Sequence, residues 1–386
     1  MSEKNNIITL YPSNWLYNAG VLGVLRILKK MGCNIEQNLM RDGTFLLDIE
    51  LLSTFSPQKI REYELPLFGL HWLLESLEEV SPQPQLTQDE KIKKAWGMLF
   101  NVFYRGFFNA NSNLFYTPSK TSTAIIEQFN NFLTSFIIED ANKTNCSFCQ
   151  REANATYKND FTSEHSNILG TSSGEKGVPN SFWNLNKNNS MNICDYCSMI
   201  IISGHLSRIK MHGNSEIFIN APSFKVMYEL NKLVKETFGS GNKLEARTKR
   251  DILATSVIEY TNKIQTSLGI WTGMNIEIVT KKNDLIEFYS LPYNVIKLIT
   301  DRKIASLLSD LGEYNIYNKI LDENYSVLID ISQKLLKLST KEQLSTNEKN
   351  LRNSLLNNWK NQTHLNSTAN KILKLYSLIE DKLRRN

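Results

Sequence analysis

Apolar positions along this chain change their period several times, and each change marks an element. Trp15, Leu16, Val21, Leu22, Leu25 and Leu28 recur at the spacing of one helix face. Ser13 or Asn14 stands where an N-cap belongs, and Gly32 where a left-handed residue would end the helix. Inside it, Ala19, Gly20 and Gly23 form a small face. A mid-helix glycine costs about 0.5–1 kcal/mol relative to alanine. Two of them imply close approach of another backbone, whether protein or nucleic acid.

Further along, "FLLDIELL" (45–52) alternates late in the run and predicts a strand. Helical periodicity covers 66–80 and 89–108, split by the breaker "SPQPQ", and again about 122–139. "EIFINAP" predicts a strand, and 223–238 and 244–268 predict helices. In "GMNIEIVTKKNDLIEFYSLP" two alternating runs meet at "KKND", the pattern of a hairpin over 275–290. From 293 onward the spacing is helical, with Ile296, Ile299, Ile304, Leu307 and Leu308 as apolar positions.

Composition adds little to this outline. With 386 residues, 41% hydrophobic and 22% charged, the chain can bury a core without staples. "VLGVLRIL" is too short to span a membrane and carries Arg26. The start shows no basic stretch leading into an apolar one, so a cytoplasmic protein without membrane contact is expected. Charge is uneven. Residues 1–140 hold 12 basic against 15 acidic side chains, residues 141–300 hold 18 against 14, and residues 301–386 hold 14 against 10. The positive excess suits a polyanion along the last two-thirds, and equally suits ordinary solvated surface.

The cysteines are more specific. Four of the five form two C-x-x-C pairs, Cys146/Cys149 and Cys194/Cys197, with 44 residues between the pairs. A reducing compartment disfavours disulfides, and a redox motif needs only one pair. Two knuckles supply the four thiolates of a tetrahedral zinc, with Phe148 and Tyr196 at equivalent places to cover it. A four-thiolate site is coordinatively closed, so its expected role is structural. No histidine among His71, His165, His205, His212 and His364 opens an H-x-E motif, and no H-E-x-x-H occurs. Paired carboxylates, a Cys/His dyad and a GxSxG elbow are missing too, so no enzymatic activity is expected.

The expected class is therefore α+β, mostly helical. A mixed N-terminal α/β domain (1–140) leads into a zinc-knuckle region with a polar loop (141–200). An α+β continuation (201–292) and a C-terminal helical bundle (293–386) follow. The loop between the knuckles offers Lys176 and Lys187 for phosphates, Asn184, Asn188 and Asn189 for base edges, and Trp183 to wedge or stack. It reads equally well as flexible surface. Lys249 and Arg250 open a helix, and Lys371, Lys374 and Arg385 decorate the final ones. Singly these are solvated charges; together they admit a polyanion.

"NWLYNAGVLGVLR" near the start, the CxxC…CxxC pair and the helical C-terminus resemble the CXXC–CXXC family of type I-B CRISPR-associated proteins. These are large subunits of Cascade, an RNA-guided surveillance complex. The resemblance implies a non-catalytic role beside guide RNA and target DNA. Such a subunit would inspect the flanking motif, help open the duplex, and dock other Cascade subunits and a helicase–nuclease. Residue by residue it carries over only Cys146, Cys149, Cys194 and Cys197, as zinc ligands, and the segment from Asn14 to Gly23. A zinc-stabilised protein–protein scaffold without nucleic-acid contact is the other reading these features allow.

Overall fold

The structure is a computed structural model that describes residues 7–53, 55–60, 63–80, 87, 143–146, 151–154, 159–160, 192–211, 215–238, 249–263, 273–282 and 285–385. Helices dominate and the sheets are small, so the α+β, mostly helical class holds. The helices expected over 89–108 and 122–139, and the breaker between 80 and 89 apart from residue 87, lie outside the described residues.

The chain opens with β1 (Ile7–Leu10), α1 (Trp15–Lys30) and β2 (Phe45–Asp48), followed by the short α2 (Glu50–Ser53). β1 and β2 pair antiparallel, with Leu10 opposite Phe45. The strand expected over 45–52 is half that length. Asp48 accepts a hydrogen bond from the Glu50 N–H at 3.0 Å, and this local turn diverts the backbone into α2. A hairpin of β3 (Phe55–Ile60) and β4 (Tyr63–Pro66) leads into α3 (Leu67–Val80). Two short antiparallel pairs, β5 (Lys143–Asn145) with β6 (Glu152–Asn154) and β7 (Asn159–Asp160) with β8 (Asn192–Ile193), precede α4 (Asp195–Ile202). Next come β9 (Ile209–Lys210), β10 (Ser215–Asn220), α5 (Phe224–Phe238), α6 (Lys249–Lys263), β11 (Glu277–Lys282) and β12 (Leu285–Ser290). The expected hairpin forms the outer half of a four-stranded sheet in the order β12-β11-β10-β9. Seven helices close the chain: α7 (Tyr293–Ile299), α8 (Arg302–Leu311), α9 (Tyr314–Leu321), α10 (Val327–Ser339), α11 (Thr346–Leu355), α12 (Trp359–Thr363) and α13 (Leu365–Arg384).

The chain divides into two units. One comprises Met1–Ile209, Gly213–Tyr228 and Thr280–Glu287. The other comprises Lys210–His212, Glu229–Val279 and Phe288–Asn386.

In the first unit α1 is the central rod. Thirteen of its sixteen residues are buried, as expected for a helix that is apolar nearly all round. The Asn14 side chain caps it by accepting the Tyr17 N–H at 3.0 Å. Gly32, at φ 87°, ends it, with the Cys33 N–H donating to Leu28 O and the Gly32 N–H to Lys29 O. The two interior glycines are explained by protein packing. A Cβ on Gly20 would lie 2.2 Å from the Ile200 carbonyl oxygen, and one on Gly23 would lie 1.9 Å from that of Ser203. The backbone that comes this close is the end of α4. Asn18, buried within α1, accepts the Ser13 N–H and donates to Ser13 O and to Asn220 Oδ1, each at 2.8 Å. Arg26 reaches the other way, to Glu75 at 2.9 Å and to Leu206 O at 2.7 Å. Lys30 adds a second cation to the same buried carboxylate at 3.1 Å.

The second unit is built from α6 and the C-terminal helices. α6 packs on α7, α8 and α9, and α13 packs on α10, α8 and α12. Ile296, Ile299, Ile304 and Leu308 are all buried here, and Leu307 is half-buried, as their spacing predicts. α8 is capped at Asp301, whose side chain accepts from the Lys303 and Ile304 N–H groups and from Lys382 Nζ on α13.

Candidate metal centre

Two strand pairs and one helix start assemble the cysteines. β5 and β6 pair Asn145 with Glu152, which brings Cys146 and Arg151 side by side at the end of the ladder. The Cys146 N–H donates to Arg151 O at 2.8 Å. Arg151 in turn donates from Nη2 to Thr9 O at 2.8 Å, tying this end of the ladder to β1. β7 and β8 pair Asn159 with Ile193, which sets Cys194 directly after the second pair. Cys194 has extended backbone (φ −72°, ψ 163°) and is the N-cap of α4. Its Sγ accepts the Cys197 N–H at 3.4 Å, and Cys146 Sγ accepts the Cys194 N–H at 3.3 Å.

The sulfurs of Cys146, Cys194 and Cys197 all lie within 4.8 Å of one another, and all three residues are buried. They are thiols, not disulfides. Three thiolates sharing one tetrahedral zinc at ~2.3 Å would stand roughly 3.8 Å apart. The cluster fits that geometry. Backbone N–H groups directed at the sulfurs and the positive end of α4 both favour the thiolate form that a metal requires. A metal held by Cys146, Cys194 and Cys197 would supply structural cross-linking. Cys149, the expected fourth ligand, lies outside the described residues, as does Phe148. Tyr196, its expected counterpart, is half-buried on the first turn of α4.

The cluster reaches the core through α4. Met199, Ile200, Ile201 and Ile202 are all buried, and the chain continues through Ser203 into a 3-10 turn at Gly204–Leu206. His205 in that turn is a core residue. Its Nδ1 donates to Ile202 O at 3.0 Å, its Nε2 lies 2.7 Å from Ser76 Oγ, and Trp72 meets its ring edge-on at 5.7 Å.

The expected nucleic-acid residues divide in two. Lys176, Trp183, Asn184, Lys187, Asn188 and Asn189 lie outside the described residues. Lys249 and Arg250 do begin a helix, but the Arg250 guanidinium is already held by Asp322 at 2.6 Å and Asn318 at 3.4 Å. Lys371 pairs with Asp310 at 2.6 Å. Lys374 and Arg385 are exposed and form no ion pair among the described residues. Lys371 and Lys374 share a groove of about 450 Å³ on α13 with Asn366, Ser367 and Asn370. The periodicity of the chain concealed the role of Arg26, which reads as an interruption of an apolar run and serves as the tie between α1, α3 and the 3-10 turn.

Three buried cysteines that could hold a metal ion lie within a mostly helical α+β chain. Residues 139–205, which hold both knuckles and all of α4, match the family model described as CRISPR-associated protein (Cas_CXXC_CXXC). This similarity supports a CRISPR-associated protein that works with other Cas components. No curated protein and no solved structure matches the chain.

Proposed function

We propose that this chain is the non-catalytic large subunit of a type I-B CRISPR surveillance complex. In that role it binds guide RNA and target DNA, reads the flanking motif, and supports duplex opening and recruitment of the helicase–nuclease. The observation that carries the reading is the thiolate cluster, set inside the segment that matches the CRISPR-associated family. With Cys149 as the fourth ligand the set would be closed, leaving no open position for substrate, which favours a structural role over chemistry. In RNA-guided recognition base pairing reads sequence, so the protein needs only backbone contacts and a short motif reader. Lys374 and Arg385 are cations of the kind such backbone contacts use.

The test is binding of duplex DNA over a range of salt, by the chain alone and after assembly with guide RNA and the remaining subunits. A nucleic-acid-binding subunit gives affinity that falls linearly with salt on a double-logarithmic scale. A scaffold without nucleic-acid contact gives no such dependence, and that result would overturn the reading.

A further inference from the structure

The turn between α11 and α12 holds an indole in the open. Trp359, the first residue of α12, is 71% exposed, although tryptophan is highly buried on average. The backbone beneath it is fastened. The Glu313 carboxylate, in a residue with no exposed surface, accepts the Asn357 N–H at 2.7 Å, the Asn358 N–H at 3.0 Å and Asn361 Nδ2 at 2.8 Å. Asn361 Nδ2 also donates to Leu311 O at 2.6 Å. On the α11 side, Asn315 Nδ2 donates to Ser354 O at 3.0 Å. A turn tied by this many bonds presents its exposed ring in one place, which lowers the ordering cost of any contact made there.

The charges nearby indicate what that contact is. α11 has no buried residue, and it carries Lys349 and Arg352 beside one acid, Glu348. Glu348 is already bound to Lys341 and to the N–H and hydroxyl of Ser345. Lys349, Arg352 and Lys360 form no ion pair among the described residues. Asn347, Asn350, Asn353, Asn357 and Asn358 make up much of the rest. A protein partner docking on an aromatic ring favours an apolar surround, and on α11 only Leu351 is an exposed large apolar side chain. Cations without an acidic partner on the flanking segments, with Arg352 held only by the Asn353 amide oxygen, instead match a polyanion with flat, unstacked bases.

We propose that Trp359 is a stacking platform for a base of single-stranded nucleic acid, with Lys349, Arg352 and Lys360 attracting the phosphates beside it. The proposal rests on the nucleic-acid reading above and names one of its contacts. A single strand fits better than a duplex, whose bases are already stacked on each other.

The experiment is equilibrium binding of the full chain to a fluorescein-labelled oligothymidine and to its abasic counterpart, across a salt series. Trp359→Ala should weaken oligothymidine binding about ten-fold, within the range for removal of one stacked base. Its salt slope should stay unchanged, and its affinity for the abasic strand should match the wild type. Trp359→Phe should retain most of the affinity, and both variants should melt with the wild type because the ring is exposed. Lys349→Glu with Lys360→Glu should flatten the slope on both strands. Wild-type binding that Trp359→Ala leaves intact would overturn the platform alone. If the wild type binds neither strand, the nucleic-acid reading falls and takes the platform with it.

Discussion

Gly23 and Ser203 touch backbone to backbone: a Cβ added to Gly23 would lie 1.9 Å from the Ser203 carbonyl oxygen. Six residues before Ser203, Cys197 contributes its sulfur to the thiolate cluster. The N-terminal motif and the second knuckle, separate in the sequence, are therefore two sides of one packing contact. The cysteine cluster at the start of α4 and the burial of α1 along its end converge on the same short helix.

Gly20→Ala or Gly23→Ala should destabilise the protein by about 1–3 kcal/mol or more, because the new methyl must push α1 away from α4. Gly204→Ala is the control. Its Cβ would meet its nearest neighbour, the Gly20 nitrogen, at 3.5 Å, an ordinary van der Waals distance, so it should be tolerated. Denaturant midpoints compare the three, and equal midpoints would show that the helices do not pack this closely.

Metal analysis of protein purified under reducing conditions should find one zinc per chain, and Cys197→Ser or Cys149→Ser should lower that occupancy. Removing the metal should loosen α4 first and then α1, since metal binding and local folding are coupled. Hydrogen exchange reads this out as faster exchange over 15–30 and 195–202. Protein that contains no zinc and keeps these amides protected would show that α4 needs no metal to hold it.

Reversing Lys374 and Arg385 together should flatten the salt dependence of DNA binding by about 0.9 for each phosphate no longer neutralised, with similar effect on all sequences. Lys371→Glu is a different experiment. It sets a carboxylate beside Asp310, so it should also cost stability through like-charge repulsion. An unchanged slope in the first pair would favour the scaffold reading.

Glu348 should titrate at about 2, held down first by the hydrogen bond from Lys341 and then by those from Ser345. Because the folded value is depressed, the stabilisation is fully present above the ordinary glutamate range of about 4.3. It is lost as pH falls through about 2. NMR titration of the carboxyl carbon checks this, and Lys341→Ala should move the midpoint upward. A midpoint in the ordinary range for the wild type would mean that the bonds from Lys341 and Ser345 to Glu348 at the start of α11 are open in solution.

Local chemistry was legible wherever one element settles it alone. The α1 face, its Asn14 cap and its Gly32 terminus follow from spacing and side-chain geometry within a few residues. So do the hairpin around 275–290 and the apolar positions of the final helices. The C-x-x-C spacing of Cys194 and Cys197 already implies two sulfurs aimed at one point, and the fold places them together. The strand over 45–52 misled only because the bond from the Glu50 N–H to Asp48 ends it early, a choice that alternation does not encode.

What tertiary structure alone decided was which partners meet. Nothing in the spacing of Gly20 and Gly23 says whether the backbone that approaches them belongs to protein or nucleic acid; the fold answers with Ile200 and Ser203. Arg250 and Lys371 count as positive charge in the sequence, yet in the fold Asp322 and Asp310 neutralise them, while Lys374 keeps its charge exposed. Trp359 lies in a stretch read only as part of the helical C-terminus, and the bonds from its neighbours to the buried Glu313 fix the turn that exposes its ring. A sequence specifies donors, acceptors and charges one at a time. Their pairing depends on distances between residues far apart in the chain, and those exist only once it has folded.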